Sequence, residues 1–235
     1  MGGTPTLPNL GGNPKVQTPC EKIKNKFADT NFKAKVTAID KPETFSLDHE
    51  KGFAAKYTSS TSVSNAEYTP TALSSDGHTM KFPSGTQYFG YIHSHVDFVD
   101  GNSTIKIFSP YDVATFLTSC IMNAKAHGNI RDAYAMIITS EGNYMLQYTL
   151  PDDNYPLTND IVKNKWNPWY KKEMQAIQND DGTFDQAEVE RVFLRFLTEK
   201  VNIPGIEIYK IDKGTGKAKK LDLDNNGNVI DTPCP

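Results

Sequence analysis

The sequence lacks two features, an excess of basic residues and a long apolar run. It has no surplus of basic residues, since its formal net charge at pH 7 is −3. It also has no apolar run approaching the roughly 18 residues of a membrane-spanning helix. A protein that binds nucleic acid usually carries a strong positive patch, which this balance does not favour. We therefore expect neither a nucleic-acid partner nor a membrane span.

The start of the chain lacks the marks of a secretion signal. Residues 1–19 are rich in Gly, Pro, Thr and Asn and contain neither a basic start nor an apolar stretch. We interpret them as a flexible leader. The rest is long enough for a domain of ample core. A change of character at Pro151 predicts a core over 20–150 and an extension over 151–235 that packs on it.

Cysteine is scarce, and two of the three cysteines lie near the ends of the chain in the same tripeptide, Thr-Pro-Cys. A bridge between Cys20 and Cys234 would tie the ends together and would favour an extracytoplasmic or secreted location. Two unpaired thiols are the alternative, and a cytoplasmic location would then be favoured. Cys120 lies in an apolar stretch and is most simply a small buried hydrophobe.

The pattern of apolar and turn residues predicts an α/β fold. The order of elements favours a mixed sheet flanked by helices, followed by a helical pair and a β-hairpin. We expect helices over 20–40, 109–127, 159–178 and 188–201. We expect strands over 53–60, 67–73, 78–82, 87–95, 133–139, 144–150, 206–212 and 218–224.

Two histidines stand out in the predicted strand 87–95. His93 and His95 are two residues apart, so their side chains point to the same face of a strand. Ser109 and Asp112 follow at the predicted start of a helix, where Pro110 suits the first helical position. Two imidazoles and one carboxylate suit zinc and leave a position open for water. Ser109 and Asp112 also fit a plain capping box, and the paired histidines can occur by chance.

The sequence His93-Ser94-His95, followed by Ser109-x-x-Asp112, resembles the signature of the JAMM metallopeptidases. The family also has an upstream Glu-x-Gly that opens a strand. Glu50-Lys51-Gly52 has that form and lies 43 residues before His93. The resemblance covers about residues 30–150 and implies a JAMM/MPN-like sheet.

The resemblance also implies a role for each residue of the signature. His93, His95 and Asp112 would hold Zn²⁺, Glu50 would act as general base, and Ser109 would hydrogen-bond the developing oxyanion. Glu43 is the rival for the base, because it too precedes a short apolar stretch, although it lacks the glycine. The implied substrate is a peptide or protein with a peptide or isopeptide bond to be cleaved.

The chain departs from the family pattern at two places. Val96 stands where the family usually has proline, and the spacer 96–108 is longer than usual. The spacer is either an insertion that shapes substrate entry or a mark of a degenerate site. A zinc-dependent hydrolase is therefore the first hypothesis, and an inactive JAMM-like binding scaffold is the alternative. A third is a structural zinc whose fourth ligand would be His49 or His78.

Overall fold

A computed structural model describes residues 17–58 and 66–235 and shows a mixed α/β protein built on a large mixed sheet. Most of the predicted leader lies outside the described residues. The strands are β1 (Gly52–Lys56), β2 (Glu67–Pro70), β3 (Ala72–Leu73), β4 (Met80–Lys81), β5 (Tyr88–Ser94), β6 (Phe98–Val99), β7 (Asn102–Ser103), β8 (Tyr134–Ile138), β9 (Asn143–Tyr148), β10 (Ile206–Ile211), β11 (Ala218–Leu223) and β12 (Val229–Pro233).

The α-helices are distributed along the described part of the chain. They are α1 (Pro19–Ala28), α2 (Thr30–Ile39), α3 (Pro42–Phe45), α4 (Pro110–Thr115), α5 (Met122–Ala126), α6 (Asn159–Ile161), α7 (Asn167–Ala176) and α8 (Gln186–Arg195). Wider π-helical turns join α4 to α5 and α6 to α7, and another continues α8. They span Phe116–Ile121, Val162–Trp166 and Phe196–Val201.

Eight strands form the large sheet in the order β12-β11-β10-β9-β8-β5-β1-β2. All neighbouring pairs are antiparallel except β5 and β8, which are parallel. Parallel neighbours need a crossover connection, and α4 and α5 supply it here. The crossover places the start of α4 just beyond the end of β5. This is how the predicted histidine strand and the predicted Ser-x-x-Asp helix come to lie together.

The core lies between the central strands and the helices on both sides of them. Every residue of β8 and β9 is buried, as are six of the seven residues of β5. Such burial on both faces explains why these strands are nearly continuous in apolar and aromatic residues rather than alternating. The free cysteine, Cys120, is fully buried in this core.

Several predicted elements differ in their bounds from the observed ones. The helical stretch 20–40 is divided at Asp29, where the pair Asp29-Thr30 indicates a break or a second cap. Asp29 ends α1, and its carboxylate accepts from the Asn31 N–H to cap α2. The strand predicted over 78–82 is only the two residues of β4. The sequence reasoning missed α3, the β6–β7 hairpin and β12. The last contains proline and lies at the sheet edge, where a lost backbone donor costs least.

The last third of the chain continues the large sheet. β10 pairs with β9, and β11 and β12 follow it outward. Tyr170 on α7 donates a hydrogen bond to the Phe108 carbonyl at 2.8 Å, which joins this part of the chain to the segment before α4. Within the described ranges, none of the helices has both the length and the hydropathy needed to cross a bilayer.

A disulfide links Cys20 at the start of α1 to Cys234 after β12, with the Cα atoms 5.4 Å apart. The Cys234 N–H donates to the Ala218 carbonyl at 2.9 Å, so the terminal segment is also held by the sheet. A bridge that closes almost the whole chain is typical of proteins from oxidising compartments.

Candidate metal centre

The pairing of β1 with β5 brings the first group of candidate residues together. Gly52 lies opposite His93 in the antiparallel register. Glu50 precedes Gly52 by two residues, so its side chain reaches the end of β5. His95 follows β5 directly, and its backbone N–H donates to the Ile138 carbonyl at 2.9 Å. Sheet hydrogen bonds therefore position both histidines.

Close packing at position 52 explains why a glycine lies two residues after Glu50. A Cβ placed there would lie 2.8 Å from the Ile92 carbonyl oxygen and 2.9 Å from the His93 Cβ. Both distances are shorter than real Cβ contacts, and one of the atoms belongs to the backbone, which moves least easily. Only glycine lets β1 approach β5 this closely. The approach in turn places the Glu50 carboxylate beside the imidazoles.

Four side chains converge at the end of β5. The Nε2 atoms of His93 and His95 are 3.1 Å apart. An Asp112 carboxylate oxygen lies 3.5 Å from each of these nitrogens. The Glu50 carboxylate lies 4.0 Å from Nε2 of His93 and 3.7 Å from Nε2 of His95. Glu50, His93 and His95 are positioned to hold a metal ion, and Asp112 borders the same point.

The close approach of the two imidazoles fits either an N–H···N hydrogen bond or a bound cation. Two neutral rings that face each other with nitrogen lone pairs at this distance repel, so the contact requires a proton or a cation between them. The other ring nitrogen of His95, Nδ1, is 2.9 Å from the Ile105 carbonyl and donates to it. That bond leaves Nε2 of His95 as the ligand atom, which is the usual arrangement of metal-binding histidines. The corresponding Nδ1 of His93 is buried and has no hydrogen-bond partner among the described residues.

Each carboxylate is oriented by a backbone N–H. The Met80 N–H donates to Oε2 of Glu50 at 2.7 Å, and the other oxygen, Oε1, faces His95. The Ser109 N–H donates to Oδ2 of Asp112 at 2.7 Å, and Oδ1 faces His93. Each carboxylate thus has one oxygen near each imidazole, and the backbone N–H fixes its orientation.

The start of α4 contains a complete capping box. The Ser109 hydroxyl accepts from the Asp112 N–H at 3.2 Å while the Asp112 carboxylate reaches back to the Ser109 N–H. The Tyr91 hydroxyl on β5 donates to the Asp112 carbonyl at 2.9 Å. The capping role and the place at the site thus coexist in the same residues. The Ser109 hydroxyl still has its own proton to donate.

The charges of the site are strongly coupled. Burial lowers the pKa of His93 below its usual range. Burial also acts on His95, but its hydrogen bond to Asp112 and the charge of Glu50 outweigh it and raise the pKa of His95 to about 9. Burial would raise the pKa of Asp112, yet its interactions with His93 and with His95 hold it well below its usual range.

The other candidates lie apart from this point. Glu43, the rival base, is exposed in the first turn of α3. His49 is paired with Asp48, 2.7 Å from its carboxylate. His78 is bonded through Nδ1 to the Asp48 carbonyl at 2.6 Å, and it lines the rim of the neighbouring cavity.

The sequence reasoning missed the structure of the spacer 96–108. It treated the spacer as a loop, whereas β6 and β7 pair as a hairpin inside it. Asp100 and Gly101 form its two-residue turn, and both have positive φ, at 52° and 77°. Asp-Gly is a strong signal for this turn, and it was present in the sequence. The hairpin supplies part of the wall of a cavity of about 200 Å³ beside the site.

Comparisons with known proteins were made at three levels. No protein-family model, no curated protein and no solved structure matches the chain. The geometry of the site is therefore the basis for a functional assignment.

Proposed function

We propose that the protein is a zinc-dependent hydrolase of peptide or isopeptide bonds, of the JAMM type. One observation carries the proposal. Two buried imidazoles and two oriented carboxylates meet at one point, at the inner end of a cavity that Glu50, His95 and Ser109 all line. Two nitrogen donors and a carboxylate suit zinc with an open coordination position.

We assign the roles of the residues from the resemblance of their motif to the JAMM signature. His93, His95 and Asp112 would hold the zinc, which when bound would supply an activated water and polarise the scissile carbonyl. Glu50 accepts a proton from the attacking water and returns it to the leaving nitrogen. The Ser109 hydroxyl donates to the carbonyl oxygen as negative charge develops on it. The disulfide favours action outside the cytoplasm, on substrates met there.

Metal content is the first test of the proposal. Elemental analysis of protein purified without added metal should find about one zinc per chain, and His93→Ala/His95→Ala should lose it. If neither protein takes up zinc when zinc is added, the hydrolase is excluded and the inactive binding scaffold replaces it.

A second test separates the two carboxylates. Asp112→Asn should lose zinc, whereas Glu50→Gln should keep it and lose hydrolysis. Hydrolysis can be followed by mass spectrometry as new termini in a random peptide pool and in lysine-linked isopeptides. Glu43→Gln, an exposed carboxylate of the same type, serves as the matched control and should behave as wild type. Loss of zinc in Glu50→Gln with retention in Asp112→Asn would exchange the two roles.

A further inference from the structure

The cavity beside the metal centre has a wall that the proposed chemistry does not use. Site residues form one part of its lining, and aliphatic residues form another. The aliphatic lining residues are Val96, Val99, Ile105 and Ile107, and Tyr170 closes one side. All four aliphatic residues come from the segment between His95 and Ser109. The long spacer therefore supplies the aliphatic part of the lining of this pocket, which we call the spacer pocket.

An ion pair and several hydrogen bonds hold the aliphatic wall of the spacer pocket in place. Lys106 is ion-paired with Asp97 at 3.0 Å and donates to the Val96 carbonyl at 2.8 Å. The Asp97 N–H donates to the Phe45 carbonyl at 2.7 Å, which attaches the base of the hairpin to α3. Side chains alternate along β6. Val99 consequently lines the pocket, whereas Phe98 points away and is 57% exposed.

The polar side chains in the wall already have partners. The Thr104 hydroxyl donates to the Val96 carbonyl, and the Thr79 hydroxyl donates to the Asp76 carboxylate at 2.6 Å. His78 uses Nδ1 in its contact with the Asp48 carbonyl. A charged side chain entering the pocket would lose water and find few groups to replace it, which costs free energy. An apolar side chain has no such cost.

The size of the pocket suits a large apolar side chain. An apolar cavity of about 150 Å³ in another protein binds benzene, and the spacer pocket is about 200 Å³. We infer that the spacer pocket selects a leucine- or phenylalanine-sized apolar side chain next to the bond that the metal centre cleaves. The inference rests on the proposed function and names its class of substrate.

The test measures binding separately from hydrolysis. N-acetyl hydroxamates of Gly, Leu, Asp and Lys are titrated against zinc-loaded and against metal-free protein, with calorimetry or NMR as readout. We expect the Leu compound to bind about 10-fold or more tightly than the Gly compound, and the Asp compound to gain nothing over Gly. The same order is expected without metal, at lower affinity.

Two adjacent variants localise the effect. Val99→Asp places a carboxylate in the wall, so the Leu preference should disappear and the Lys compound should bind more tightly than Leu. Phe98→Asp, on the opposite face of the same strand, is the matched control and should keep the Leu preference. Val99→Ser repeats the test without a charge if Val99→Asp does not fold.

The outcomes distinguish this inference from the proposed function. Equal affinities for Gly and Leu in wild type, or a Leu preference that survives at Val99→Asp, would overturn the pocket assignment. A Leu preference in a protein that hydrolyses nothing would support the pocket and remove the enzyme. Hydrolysis with no side-chain preference would support the enzyme and overturn the pocket assignment.

Discussion

At the scale of single residues, the site depends on one glycine as much as on its polar groups. Gly52 carries no functional group, yet it lies against the Ile92 carbonyl and the His93 Cβ at distances that no side chain allows. The Glu-x-Gly motif thus has a physical explanation. The glutamate contributes the charge, and the glycine lets its strand approach the histidine strand.

We expect Gly52→Ala to lower zinc affinity by about 10-fold or more, because the new methyl group must displace β1 or His93. Overpacking of this kind also costs about 1–3 kcal/mol of the free energy of unfolding. Competition with a chelator measures the first effect and urea denaturation the second. Gly214→Ala is the control, since its nearest contact is an ordinary 3.7 Å. Unchanged zinc affinity at Gly52→Ala would refute the packing argument.

At the scale of elements, the start of α4 joins helix capping to chemistry. Ser109 accepts from the Asp112 N–H, and Asp112 reaches back to the Ser109 N–H. The cap holds the Asp112 carboxylate beside His93 and His95 through a bond to backbone, which side-chain substitution at Ser109 does not remove. Capping and ligation can therefore be separated by mutation.

We expect Ser109→Ala to lose about 1 kcal/mol of the free energy of unfolding, because one cap hydrogen bond is removed. Zinc content should not change. Hydrolysis should fall by about 10²–10³-fold if the hydroxyl stabilises the oxyanion. Ser109→Thr keeps the hydroxyl and is the control for both effects. A variant that loses stability but hydrolyses normally would restrict Ser109 to capping.

At the scale of the whole molecule, the disulfide and the site lie at opposite ends of the large sheet. Cys234 follows β12 at one edge, whereas β1 and β5 lie near the other edge. The last third of the chain nevertheless reaches the site, because Tyr170 on α7 lines the spacer pocket. The extension thus contributes to the lining of the spacer pocket as well as to the sheet.

We expect Cys20→Ser/Cys234→Ser to lower the free energy of unfolding by about 2–5 kcal/mol, because the bridge restricts the unfolded chain over a separation of 214 residues. Zinc content should be unchanged at this distance from the site. Urea denaturation with and without reductant is the measurement. Reductant should shift the urea midpoint of the wild type to that of the variant and leave the midpoint of the variant unchanged. A wild type that does not respond to reductant would contradict the expectation.

Local sequence determined those features that depend on near neighbours. The alternation of His93 and His95 follows from strand geometry alone, and the capping box follows from Ser109, Pro110 and Asp112 in a single turn. The buried central strands were also visible as apolar runs. The bounds of these elements agree with the structure to within a few residues, because propensity and periodicity act over such distances.

Only the tertiary structure decided which distant residues meet. The β1–β5 register is set by packing and by long-range hydrogen bonds. It places Glu50 rather than Glu43 beside the histidines. The spacer pocket likewise requires Tyr170 to arrive from more than sixty residues beyond Ile107. Which distant residues meet depends on the packing of the whole fold and not on local sequence preferences. Periodicity therefore predicted the single elements, whereas the cavity between them was not visible until they were assembled.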